Sequence, residues 1–170
     1  MLENKFYAQG VGQLLASDAE GKFEQLVKIV VEGTAEDDKL DGYSGADALH
    51  GFGGNDRVDG KDGDDWVNGG AGNDTLTGGK GADAFAFGTE GAAGAHRDVI
   101  TDYDEDQGDT LDLPEGRESV ASAATSGGAL HLTLDGGHVI RLNGVVDVAD
   151  VAFSRVGDAN AELPGEWMLI

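Results

Sequence analysis

The chain has no cysteine, only two prolines in 170 residues, and few aromatic or basic side chains. Without cysteine there are no disulfides, no thiolate metal sites and no thiol nucleophile. No stretch approaches the length that crosses a bilayer as a helix. Met1 to Gly10 has no apolar run, so export through a cleaved N-terminal signal is not expected. Eleven basic residues face 33 acidic ones, a formal charge of −22. That charge repels phosphate and argues against nucleic acid or an anionic membrane surface as partner. It also opposes compaction. A chain this rich in Gly and Asp stays disordered unless something neutralises its carboxylates, and a divalent cation is the simplest agent.

What the chain has instead is a period. From 33 to 86 it falls into six gapless units of nine: GTAEDDKLD, GYSGADALH, GFGGNDRVD, GKDGDDWVN, GGAGNDTLT and GGKGADAFA. Position 1 is always Gly and position 6 always Asp: Asp38, Asp47, Asp56, Asp65, Asp74 and Asp83. Position 4 is Gly in the last five units, and position 8 is always apolar: Leu40, Leu49, Val58, Val67, Leu76 and Phe85. Each unit reads as a glycine turn and a short strand whose middle side chain faces inward. One apolar residue per nine makes no core alone, so units must stack as a solenoid. Asp98-Val99-Ile100 and Asp109-Thr110-Leu111 restate the Asp-x-apolar signature and read as degenerate seventh and eighth units.

Three regions follow. Residues 1–32 are expected to form an N-terminal β-hairpin or linker, and 33–86 the repeat roll. Residues 87–170 would hold the degenerate units, an antiparallel β cap with a hairpin over 129–142, and a C-terminal export signal around Glu166–Ile170. The fold class is all-β.

Calcium takes six to eight hard oxygen ligands at about 2.3–2.6 Å. A glycine turn offers bare carbonyls and each unit adds one carboxylate, but one turn is too short to surround an ion. With alternate units on alternate sheets, same-edge turns belong to units i and i+2. The expected pairs are Asp38/Asp56, Asp47/Asp65, Asp56/Asp74, Asp65/Asp83, Asp74/Asp98 and Asp83/Asp109.

These units resemble the RTX nonapeptide, Gly-Gly-x-Gly-x-Asp-x-apolar-x. The resemblance continues over 87–113, where RDVITDYDEDQGDTLDL is similar to the family's segment after the last repeat. It implies a right-handed parallel β-roll holding several calcium ions. The position-6 Asp and the main-chain oxygens of positions 1 and 3 would be ligands. Here those are Gly51, Gly53, Gly60, Asp62, Gly69, Ala71, Gly78 and Lys80. It further implies an extracellular protein exported by a type I apparatus, unfolded inside and folded by calcium outside. Position 2 departs from the family's Gly at Thr34, Tyr43, Phe52 and Lys61, and position 4 departs at Glu36.

The faces of the roll differ. One carries Lys39, Arg57 and Thr75 with Asp41 and Asp59 and reads as solvated. The other carries Ala48, Trp66 and Ala84 and is expected to lie under the C-terminal part or the N-terminal hairpin. Asp102 to Gly108 begins like an EF-hand loop, but its Gly comes one residue late and the twelfth place lacks Glu, so it reads as a solvated acidic loop. His131 and His138 are expected to face each other across the hairpin. No catalytic constellation emerges, so the chain reads as a monomeric, non-enzymatic folding and secretion module. The alternatives are an acidic-polysaccharide-binding module, resembling the R-modules of alginate-modifying enzymes, and the tail of a secreted hydrolase or toxin.

Overall fold

The computed structural model describes residues 29–88, 95–113 and 120–155. Two sheets face each other. One holds, in spatial order, β1 (Ile29–Glu32), β3 (Asp47–His50), β5 (Trp66–Asn68), β7 (Ala84–Ala86), β9 (Thr110–Leu113) and β13 (Phe153–Arg155). The other begins with β2 (Lys39–Asp41), β4 (Arg57–Asp62), β6 (Thr75–Lys80) and β8 (Arg97–Ile100). It continues with β12 (Val139–Asn143), β11 (Ala129–Leu134) and β10 (Val120–Ser126). Odd and even units therefore alternate between sheets, each strand pairing in parallel with the unit two away, as Val58 with Leu76 and Leu49 with Val67. This is the parallel β-roll.

The period dictates this architecture. A three-residue strand buries only its middle side chain, so Leu40, Val58, Leu76, Ile100 and Leu142 line one sheet's inner surface. Val31, Leu49, Val67, Phe85 and Leu111 line the other. Each such side chain contributes about 1.5–3 kcal/mol on burial. Glycine is obligatory where turns touch: Gly72 has φ 141° and a Cβ there would overlap the Gly54 carbonyl. On one edge the position-5 side chains stack too, with Asp37 Oδ1 accepting from Asn55 N, Asn55 Oδ1 from Asn73 N, and Asn73 Oδ1 from Arg97 N.

The sheets run on past residue 86. β8 and β9 are the degenerate seventh and eighth strands; β11 and β12 form the expected hairpin, β10 adds a third antiparallel strand, and β12 lies parallel against β8. Two features depart from expectation. Ile29–Glu32, read as the end of a hairpin strand, is a parallel edge strand of the roll; the rest of that hairpin and the C-terminal export segment lie outside the described residues. His131 faces Arg141, not His138, because the turn is centred on Gly136 and Gly137, both at positive φ. Trp66 is half-buried against the edge of the His50 ring, and its row neighbour Ala48 is buried. The N-terminal hairpin expected to cover that face falls outside the described residues.

Candidate calcium ladder

The position-6 aspartates stand at the start of each strand, pointing in between stacked turns. Each main-chain N–H donates to the carboxylate of the same-edge partner. Asp38 N bonds Asp56 Oδ1 at 2.8 Å, Asp47 N bonds Asp65 at 2.7 Å, and Asp56 N bonds Asp74 at 2.8 Å. Asp65 N bonds Asp83 at 2.9 Å, Asp74 N bonds Asp98 at 2.8 Å, and Asp83 N bonds Asp109 at 3.0 Å. All six expected pairs are thus neighbours, and the ladder extends through both degenerate units.

The second carboxylate oxygen distinguishes them. Oδ2 of Asp56, Asp65, Asp74 and Asp83 is buried and accepts no hydrogen bond among the described residues. Buried polar atoms are nearly always partnered, and an unpartnered buried carboxylate is costly. Burial raises the pKa of all four, against the opposing effect of the accepted N–H bonds, and neighbouring aspartates add to the rise. Asp65 and Asp83 reach about 7 and Asp74 about 6.

Each orphaned oxygen lies over the position-1 glycine of its own turn. A Cβ on Gly51, Gly60, Gly69 or Gly78 would overlap that oxygen. At Gly51 and Gly60 it would also run into the carbonyl of the next same-edge glycine, Gly69 or Gly78. The position-3 residues stack likewise: Gly53 bridges Ala71, and Asp62 pairs with Lys80 in the ladder. The carbonyls of Asp62 and Lys80 already accept from Gly45 N at 2.6 Å and Gly63 N at 2.7 Å. Lys80 Nζ meets the Asp62 carboxylate at 2.9 Å, out in solvent.

The donors that converge are oxygens only, carboxylate and main-chain, which suit a hard cation such as calcium. Among the described residues no three acidic or histidine side chains form a cluster for a metal ion, so such a site relies on main-chain carbonyls to complete its shell.

Two features escaped the sequence reading. Asp102 stands where the glycine column continues, after Gly60 and Gly78. Its half-buried carboxylate accepts from Gly78 N at 3.1 Å and Gly79 N at 2.9 Å. It is therefore not a solvated loop residue, although Glu105 to Gly108 are exposed. Counting the nine-residue period onward from Asp98 would have found it. His138 places Nε2 2.7 Å from Asp98 Oδ2, and no periodic signal marks it. Tyr103, raised to about 12 by burial, ties the eighth turn down by donating to Asp109 O at 2.9 Å and accepting from Ala152 N at 2.8 Å.

Residues 30–51 and 50–85 match the RTX calcium-binding nonapeptide repeat (4 copies). Residues 30–85 are an RTX calcium-binding array. The RTX roll here is similar to the R3 subunit of AlgE6, a mannuronan C5-epimerase of Azotobacter vinelandii, at 29% identity and TM-score 0.56, covering 81% of this chain and 88% of that one. The R2 subunit of the same enzyme is 29% identical with TM-score 0.51, over 71% of this chain and 89% of that one. The extracellular lipase LipA of Serratia marcescens shares the fold at 24% identity and TM-score 0.56, over 83% of this chain but only 22% of the lipase. No curated protein sequence matches the chain.

Proposed function

We propose that this RTX roll is the calcium-driven folding module of an extracellular protein exported by a type I apparatus. The observation that supports it is the stack of buried aspartates with orphaned oxygens. The carboxylate ligands in this reading are Asp56, Asp65, Asp74 and Asp83, which Asp38 and Asp47 flank at the start of the ladder and Asp98 and Asp109 at its end. The main-chain oxygens of Gly51, Gly53, Gly60, Asp62, Gly69, Ala71, Gly78 and Lys80 complete them. Calcium bound there supplies the positive charge that the carboxylate rows lack. Where calcium is scarce the rows repel one another and the chain stays open; where it is abundant, binding free energy becomes folding free energy. Among the described residues, β8 to β13 continue both sheets, and in this reading they belong to the same folding unit. The module serves a passenger and carries no catalysis of its own. Circular dichroism during a calcium titration tests this: the spectrum should move cooperatively from coil to β. An identical spectrum with calcium and with chelator would refute it.

A second reading has its own observation. Arg57, Arg97 and Arg141 are exposed on the outer face of the β2–β4–β6–β8–β12 sheet. They form no ion pair among the described residues, in a chain of charge −22. Such a patch suits a polyanion. The likeness to subunits of a mannuronan epimerase makes an acidic polysaccharide the ligand to try. Retention on immobilised alginate should fall in Arg97→Ala/Arg141→Ala; retention unchanged by both substitutions removes this reading.

A further inference from the structure

We infer that the array holds four cations, two on each edge, and that protein groups close the ladder at both ends. This rests on the calcium reading above and adds to it a count and a boundary.

The boundary at the start lies at position 2 of each unit. In units three to six that residue is left-handed: Phe52 at φ 72°, Lys61 at 87°, Gly70 at 94° and Gly79 at 112°. In all four units the Asp Oδ2 is orphaned. In units one and two, Thr34 and Tyr43 are not left-handed. Their N–H groups donate to the same oxygen: Thr34 N to Asp38 Oδ2 at 2.6 Å, with the Thr34 hydroxyl at 2.8 Å, and Tyr43 N to Asp47 Oδ2 at 2.6 Å. The backbone turn at position 2 thus decides whether the oxygen faces a peptide N–H or an open cradle. Left-handed geometry is disfavoured for Phe and Lys, and strain of this kind persists where a site requires it.

The far boundary uses other donors. Asp98 Oδ2 takes His138 Nε2, and Asp109 Oδ2 takes Asp104 N at 2.9 Å. Both oxygens of each of these carboxylates are thus partnered within the protein, unlike the four orphaned ones. The four open oxygens place the ions between the turns of Asp56/Asp74, Asp74/Asp98, Asp65/Asp83 and Asp83/Asp109. The pairs Asp38/Asp56 and Asp47/Asp65 are contacts without an ion.

Native mass spectrometry of the full chain at saturating calcium reads the count, with equilibrium dialysis as a check. Four ions support the inference. Any other non-zero number overturns the count while leaving calcium-driven folding intact; no bound ion overturns both. The variant Asp38→Asn/Asp47→Asn gives a second reading. An amide oxygen still accepts the Thr34 and Tyr43 N–H bonds, so the fold is kept. Four ions and a folding midpoint within about twofold of the parent are expected. Loss of one or two ions from that variant would show that the first two turns are sites after all.

Discussion

The first two turns of the roll and the next four have the same fixed Asp and the same first-position Gly, yet they are built to different ends. Thr34 and Tyr43 give their N–H to the aspartate of their own unit; Phe52, Lys61, Gly70 and Gly79 are turned away and leave that oxygen bare. The first pair is complete as a protein structure. The four that follow each leave one buried carboxylate oxygen without a donor among the described residues, which the proposed cations would satisfy. A repeat can therefore conserve its ligand residue and still alternate between a closing role and a binding role through a single backbone angle.

The broadest way to break this contrast is to remove the ion. At a hundredfold excess over Kd each site contributes roughly 2.7 kcal/mol. Four such sites are comparable to the whole ~5–15 kcal/mol stability of a native domain. Chelation should therefore abolish the roll, as read by circular dichroism and amide exchange. Units one and two should go with it, because β2 and β3 stack on β4 and β5. Persistent exchange protection of units one and two in chelator would mean that they fold alone.

Acidity should act next. The raised pKa values mean that protonated Asp56, Asp65, Asp74 and Asp83 favour the ion-free fold. That contribution is fully present below the unfolded value near 3.8 and is lost as pH rises through about 6 to 7. In chelator the chain should therefore show more β structure at pH 5 than at pH 8. With calcium the sign reverses, since protons compete for the same oxygens and the folding midpoint should rise as pH falls below about 7. Asp65→Asn/Asp83→Asn should flatten the chelated profile; an unchanged profile would assign it to other groups.

The columns of Gly, Asp and apolar residues made the roll, its alternation between sheets and all six aspartate contacts legible before any coordinates. Asp98 and Asp109 were legible for the same reason, since Asp-x-apolar survives there without its glycines. What was not legible lacks a period. Val120–Ser126 is an exposed, Ala- and Ser-rich strand with no apolar alternation. Phe153–Arg155 joins β9 across 42 residues of chain. His138 reaches Asp98 only because the hairpin lays β12 beside β8. The left-handed turn at Phe52 and Lys61 was hidden because neither residue favours it, although Gly70 and Gly79 in the same column hint at it.

Single carboxylates sharpen the contrast further. Asp74→Asn removes the charge of an oxygen that faces only the cradle, and Asp74 is shared by two proposed sites. Its calcium midpoint should rise by about tenfold or more, the scale of one charged contact. Asp38→Asn should move it by less than about twofold. Equal shifts in the two variants would erase the distinction between closing and binding turns.

The smallest effect tests the backbone angle itself. Lys61 holds φ 87°, a region that costs an L-residue about 1–2 kcal/mol. Glycine is free of that penalty, though it loses about 0.5–1 kcal/mol through greater freedom in the unfolded chain. The ion pairs of Lys61 with Asp59 and Asp41 are exposed and add little. Lys61→Gly should therefore stabilise the calcium-loaded roll by up to about 1 kcal/mol. Tyr43 has no left-handed strain to relieve, so Tyr43→Gly should have the opposite sign and cost about 0.5–1 kcal/mol. Denaturant melts of both variants in saturating calcium read the pair. Opposite signs tie the left-handed turn to the binding units, and a shared sign would detach it from them.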